Sequence, residues 1–265
     1  MKQYYFLAGI PRSGSTVLAS ILNQNPDFYA TPTSPLLDLL YLNEQAWSNL
    51  PSVIANPIPI QRESISKAII KSCWEHIDRP IIIDKHRAWG RNIRTIEKIF
   101  EIRPKLIITV RDIPSVIASF IELLRASSQS ITYIDQILVD RNLSLTDVNR
   151  ADVIWNDFVQ DPWDSFKTAW NTDKNSIHLV DYDSLVNNQQ EVINGVYKFL
   201  EVPKFTHNFN AIENSHADDD LMAWGLENLH TIRPTLKKTS KSPRVVLGDQ
   251  IYKKYTKMNL EFWRD

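Results

Sequence analysis

The chain predicts a three-layer α/β fold, a central parallel sheet flanked by helices on both faces, from two sequence patterns and the loop that follows them. Short apolar runs at residues 3–8, 80–84, 105–110 and 176–181, with a weaker one at 27–30, alternate with helical periodicities in the order of parallel βαβ units. Ile81-Ile82-Ile83 and Leu106-Ile107-Ile108 are apolar at every position, as strands covered on both faces are. The first run then enters a tight turn containing glycine, and in such sheets ligands bind beyond the carboxyl ends of the strands.

Taken in order, residues 3–8 form the first strand, and a helix over 15–24 opens at Gly14 to Thr16. Several unpaired backbone N–H groups converge there, which makes an anion site. Gly9 and Gly14 stand where a G-x-x-x-x-G-K-[ST] loop keeps its glycines, but Ser15 occupies the lysine position and the cation is Arg12, inside the loop. The lysine of a nucleotide triphosphatase faces the β- and γ-phosphates, where magnesium is needed, so a loop without it suits a less charged group. The weak strand at 27–30 leads to helices over 35–47 and 60–76, and the strand at 80–84 runs into Asp84-Lys85-His86. After a helix over 92–100, the strand at 105–110 ends at Arg111-Asp112. A helix follows over 114–125, with Pro114 in its first turn and Asp112 placed to cap it. Ser119 falls in the second turn of that helix, where it can share one phosphate with Arg111, each charge-assisted bond contributing about 1.5–3 kcal/mol. Residues 127–149 are polar and irregular. Helices over 151–170 and 184–200 flank the last strand, and from residue 208 the pattern loosens into a basic string over 233–257, the composition of a solvated tail.

Composition bounds the function. The 265 residues shift nowhere sharply enough to divide the chain, so one domain with insertions is expected. Hydrophobic residues at 43% and charged residues at 23% are ordinary for a globular enzyme and exclude disorder or a fibrous repeat. A formal net charge of −1 gives no global attraction to nucleic acid or anionic lipid, so any anion must be met locally. Cys73 is the single cysteine, charged or polar residues interrupt every apolar stretch, and no signal-peptide pattern precedes the first strand; a cytoplasmic location without a membrane span is expected. Of the 6 glycines, Gly9 and Gly14 both fall in the opening loop.

Pro11-Arg12-Ser13-Gly14-Ser15-Thr16 closely resembles the 5′-phosphosulfate loop of sulfotransferases that use 3′-phosphoadenosine 5′-phosphosulfate (PAPS), and Arg111…Ser119 resembles their 3′-phosphate motif, in the same order along the chain. The segment His178 to Val186 is similar to the family's Tyr-Glu-Asp-Leu stretch, with Tyr182 at the tyrosine that lies near the nucleotide. Residues 196–203 resemble the helix end that follows it. Ile232-Arg233-Pro234 resembles the Ile-Lys-Pro by which tyrosylprotein sulfotransferases bring a late cation over the nucleotide. The resemblance implies a P-loop NTPase-like domain that moves a sulfuryl group from PAPS to a hydroxyl or amine, releasing 3′,5′-adenosine bisphosphate (PAP) without a metal. The acceptor class stays open among small molecule, glycan, lipid and peptide. It implies that Arg12, Ser13, Gly14, Ser15 and Thr16 bind the phosphosulfate, that Arg111, Ser119, Tyr182 and Arg233 bind the rest of the nucleotide, and that Lys85 and Arg12 steady the charge of the reaction. Residues 127–174 would form a helical acceptor-side cap, and 208–265 would close over the nucleotide.

The base is where this chain departs from the family. Cytosolic sulfotransferases carry a histidine two residues after their lysine, a place held here by Arg87, with His86 adjacent; the glutamate of tyrosylprotein sulfotransferases has no counterpart over residues 31–38. His86, then Asp38 and Asp84, remain as candidates. Asp84 also supports a rival reading, because an acid ending an apolar strand holds magnesium in phosphate-loop kinases and triphosphatases. A non-catalytic nucleotide-binding scaffold is the third reading. Histidines 76, 86, 178, 207, 216 and 230 show no metal-ligand spacing with the cysteine, and the run His216 to Asp220 reads as a solvated acidic turn. Trp155, Phe158, Trp163, Phe166 and Trp170 are expected mostly in the core, with some lining an acceptor pocket.

Overall fold

The computed structural model describes residues 2–214, 220–237, 241–258 and 260–264. The expected strands all form, as β1 (Gln3–Gly9), β2 (Phe28–Ala30), β3 (Ile81–Lys85), β4 (Leu106–Val110) and β5 (Ile177–Asp181), in one sheet of order β2-β3-β1-β4-β5. Every neighbouring pair is parallel; Phe6 of β1 lies opposite Asp84 of β3 on one side and Leu106 of β4 on the other. The chain leaves β1 towards β2 and leaves β4 towards β5, in opposite directions. Their carboxyl ends therefore open a crevice at the centre of the sheet, the place where open α/β sheets bind ligands.

Among the described residues, thirteen helices cover the sheet and its upper edge: α1 (Ser15–Leu22), α2 (Leu36–Asn49), α3 (Pro51–Ala55), α4 (Pro59–Trp74), α5 (Ile93–Phe100), α6 (Ile113–Ala126), α7 (Tyr133–Asp140), α8 (Asp147–Val153), α9 (Gln160–Thr172), α10 (Tyr182–Asn187), α11 (Gln189–Leu200), α12 (Asp220–Trp224) and α13 (Pro243–Lys257). Strand alternation divides the core in two. Phe6 and Ala8 of β1 pack with Ile82, Leu106 and Ile108 against Trp89, Ile117 of α6 and Phe166 of α9. Tyr5 and Leu7 pack with Ile83, Ile107 and Val180 against Leu18 and Leu22 of α1 and Val196 and Leu200 of α11. No helix among the described residues is long and apolar enough to cross a membrane.

Several elements depart from the sequence reading. The stretch 127–149, expected as irregular, contains α7, begun by a capping box in which Thr132 and Asp135 exchange side-chain-to-backbone bonds. The single helix expected over 151–170 is α8 and α9 joined by a π-helical turn at Ile154–Val159; Pro162, the third residue of α9, brings no N–H to the ladder. The basic string is not a tail: α13 buries Val246, Leu247, Ile251 and Tyr255, all four in the core layer that holds α6, while its lysines face outward. Residues 215–219 of the expected acidic turn, and 238–240 of the basic string, lie outside the described residues.

Candidate active site

The loop after β1 is shaped by close approach. A Cβ on Gly9 would stand 2.0 Å from Thr109 Oγ1, so only glycine lets β1 lie this near β4. Arg12 (φ 62°) and Gly14 (φ 89°) both take left-handed backbone around Ser13, which curls the peptide inward. Gly14 is fixed a second way, since a Cβ there would meet Tyr182 Cδ2 at 2.8 Å. Ser13 is fully buried; its hydroxyl lies 3.0 Å from Thr109 O and 2.7 Å from Thr109 Oγ1 and also donates to Ile10 O, while its N–H donates to Ile10 O at 3.2 Å. The loop is thus pinned from below. α1 then starts with no side-chain cap and no acid in its first turn, leaving the positive end of its dipole to the cavity above.

Cations surround that end. Arg12 Nε donates to Ser119 Oγ at 3.1 Å, and Arg12 Nη1 donates to the Leu229 carbonyl. The Arg111 guanidinium lies 4.3 Å over the Tyr182 ring, and its Nη1 donates to Arg12 O at 3.3 Å. Burial, then the Arg111 charge, pushes the Arg12 guanidinium below its usual pKa. Two like charges held together out of water create a strong preference for an anion between them. Alternation along β3 turns Ile83 and Lys85 to the α1 side, where Lys85 Nζ donates to Thr16 Oγ1 at 2.9 Å.

One cavity of about 780 Å³ is lined by Arg12, Gly14, Ser15, Thr16, Lys85, Arg111, Ser119, Tyr182 and Arg233. Its volume falls within the roughly 300–1,000 Å³ of sites that enclose a small molecule. Of residues 127–174, Phe158 lines it; α9 lies on the sheet, with Phe166 and Ala169 in the core, and Trp155, Trp163 and Trp170 join an aromatic cluster with Tyr255 and Phe262.

Ser13, His86, Asp84 and Asp38 do not line the cavity. His86 caps the turn after β3: its Nδ1 accepts from the Ala88 N–H at 3.2 Å, and its Nε2 lies 3.3 Å from Asp38 Oδ1. With Nδ1 accepting, the proton sits on Nε2 and points at the carboxylate, so the lone pair a base needs is already used. Burial lowers the His86 pKa, and Asp38 opposes that shift. Asp84 is wholly buried on the opposite face of the sheet and accepts from Ser34 Oγ at 2.6 Å, Trp74 Nε1 at 3.0 Å and Trp89 Nε1 at 2.8 Å. Burial pushes its carboxyl up to about 6. It is a structural buttress, set on the far side of β3 from the loop that a magnesium-holding acid would face.

Arg87, Trp224 and His230 are among the lining residues not foreseen as site residues. Arg87 stacks 5.1 Å from the Trp224 ring, Trp224 lies 6.2 Å from the His230 ring, and His230 is paired with Asp220. No local pattern signals Trp224 and His230, because they come, with Asp220, from the loosely patterned segment after residue 208 and meet the cavity only through folding.

A parallel sheet with cations and helix amides gathered at its switch point defines an enzyme class that grips nucleotide phosphates. The sequence profile of the sulfotransferase family matches residues 5–207, and the chain belongs to that family. The family assignment sets aside the kinase and triphosphatase reading. Compared with individual curated proteins, the sequence has no significant match. In three dimensions the chain is similar to the sulfotransferase domain from the curacin biosynthetic pathway, at 16% identity and a TM-score of 0.52 over 97% of each chain. It is also similar to retinol dehydratase, solved in complex with androsterone and the inactive cofactor PAP, at 13% identity and a TM-score of 0.51 over 98% of this chain and 81% of that one. At such identities these likenesses speak for the P-loop-type fold.

Proposed function

We propose that the protein transfers a sulfuryl group from PAPS to a hydroxyl or amine acceptor, and that its large cavity is the donor site. The observation that carries this reading is the 3.1 Å bond from Arg12 Nε to Ser119 Oγ, which joins the two phosphate-binding motifs across one cavity. A single nucleotide with phosphates at both ends of its ribose spans such a pair. The 5′-phosphosulfate lies on the α1 N-terminus, held by the amides of Gly14, Ser15 and Thr16, while Ser13 shapes the loop from beneath. Arg111 and Ser119 hold the 3′-phosphate, Tyr182 packs between Gly14 and Arg111, and Arg233 lies over the nucleotide from the C-terminal segment.

In the reaction the acceptor oxygen attacks sulfur in line as the bond from sulfur to the bridging oxygen breaks, and the released charge settles on PAP. Lys85, held by Thr16, and Arg12, held by Ser119, stand where that charge develops and need no rearrangement to meet it. The acceptor, whether small molecule, glycan, lipid or peptide, enters on the side of Arg87 and Trp224. The lone Cys73 fits a reducing compartment, and we place the protein in the cytoplasm.

Thermal unfolding with PAP, with ATP and with ATP plus magnesium tests the donor site. A ligand at about 100 times its dissociation constant adds about 2.7 kcal/mol. Stabilisation by PAP without magnesium, exceeding that by either ATP sample, is expected; preference for magnesium-ATP overturns the reading.

A further inference from the structure

We propose that His230, oriented by Asp220, is the base that takes the acceptor's proton, an assignment that rests on the sulfotransferase reading above. Asp220 is 8% exposed and accepts twice from one residue: from the His230 backbone N–H at 2.8 Å and from the His230 Nδ1 at 2.6 Å. A carboxylate only accepts, so Nδ1 carries the hydrogen and the lone pair is on Nε2. A buried acid that fixes the tautomer and then balances the imidazolium is the arrangement a catalytic imidazole requires.

Position makes the same case. The neighbouring Leu229 carbonyl is held by Arg12, and the Asp220 charge acts on the Arg12 guanidinium, so the dyad stands beside the phosphosulfate loop. Among the described residues, His230 is the histidine that lines the cavity. Charged groups near it, among the described residues, include Asp220 from α12, Arg12 from the loop after β1, and Arg87 from the turn after β3, which reaches it through the Trp224 ring. His86, the nearer histidine in sequence to Lys85, has the opposite tautomer and faces away.

The step balances without another reactant. An oxygen lone pair of the acceptor forms the new O–S bond, the S–O bond to the 5′-phosphate breaks with its electrons left on PAP, and the acceptor proton passes to His230 Nε2. The imidazolium pairs with Asp220 until it loses the proton to solvent.

The test compares the intact protein with His230→Gln and Asp220→Asn, measuring PAP binding by calorimetry and PAP release from PAPS with water and with a series of phenols as probe acceptors. His230→Gln should lower turnover by about 10²–10⁴-fold while PAP binding changes by less than about threefold. The loss should be smallest for the most acidic phenols, which need the base least. Nitrogen NMR of the imidazoles should find one Nδ1–H tautomer that disappears in Asp220→Asn. Each failure points to a different claim. If the intact protein does not bind PAP, the donor site is wrong; if it binds PAP but releases none from PAPS with any acceptor, transfer and the base fall together. If His230→Gln binds PAP and turns over within about threefold of the intact protein, the dyad alone is overturned.

Discussion

Replacing Arg111 with alanine separates a binding arginine from a structural one. The guanidinium is 6% exposed, stacked at 4.3 Å on Tyr182 and joined to the Arg12 carbonyl. Two charge-assisted bonds to a 3′-phosphate, at about 1.5–3 kcal/mol each, are worth about 3–6 kcal/mol. At 1.4 kcal/mol per tenfold, PAP affinity should fall by about 10²–10⁴. The fold should suffer far less. Loss of the Tyr182 stack costs about 0.5–2 kcal/mol and loss of the Arg12 carbonyl bond about 0.5–1.5, partly offset because the empty loop no longer holds two repelling cations. Calorimetry with PAP and with 5′-AMP, which lacks the 3′-phosphate, isolates the contact: Arg111→Ala should nearly abolish the advantage of PAP over AMP and leave AMP binding within about threefold. Equal loss for both ligands, or an unfolding loss matching the binding loss, would refute the assignment of Arg111 to the 3′-phosphate.

Other perturbations follow from the same geometry. Lys85→Ala should lower turnover by about 10²–10³-fold with PAP affinity reduced less than about tenfold, because the ammonium meets charge that appears only as the bridging bond breaks; steady-state kinetics beside calorimetry separates the two. Gly14→Ala should cost about 1–2 kcal/mol in urea unfolding from its φ of 89° alone, and should displace Tyr182, 2.8 Å from the added methyl, with loss of PAP binding. Asp84 titrates near 6 in the folded chain against an ordinary value of 3.8, so the folded state holds this proton more tightly. Its contribution to stability, on the order of 3 kcal/mol, is fully present below about pH 4 and is lost as pH rises through 6. Urea unfolding across that window should find the slope in the intact protein and not in Asp84→Asn. Magnesium should leave both unchanged.

The sheet was legible because its strands are short, apolar and bounded: all five appear within a few residues of where Ile81-Ile82-Ile83 and its counterparts put them. The shape of the loop after β1 was legible because it is set locally, with Gly9, Arg12 and Gly14 close enough for spacing to carry meaning. What escaped has a common cause. Pro162 inside an apolar helical pattern produced a π turn that periodicity does not register, and the lysines of α13 masked an apolar face that needed α6 before it could be recognised. His86 and Asp84 were drawn towards the site by their adjacency to Lys85. In a strand, however, adjacent residues face opposite ways, and the parity that brings Lys85 to the loop sends Asp84 behind the sheet.

That parity also explains why the acidic strand end and the altered loop do not conflict. A triphosphatase needs its acid on the loop side of the strand to hold a metal against the lysine of the loop. Here the loop-side place at the strand end belongs to Lys85, one residue on, whose ammonium is already bonded to Thr16. A fixed ammonium suits a leaving group of modest charge. Asp84, released from the site, accepts from two tryptophans and a serine, and so ties β3 to α4 and to the turn that carries Arg87. The same strand thereby holds Lys85 on one face and, through its buried acid on the other, the turn that carries Arg87.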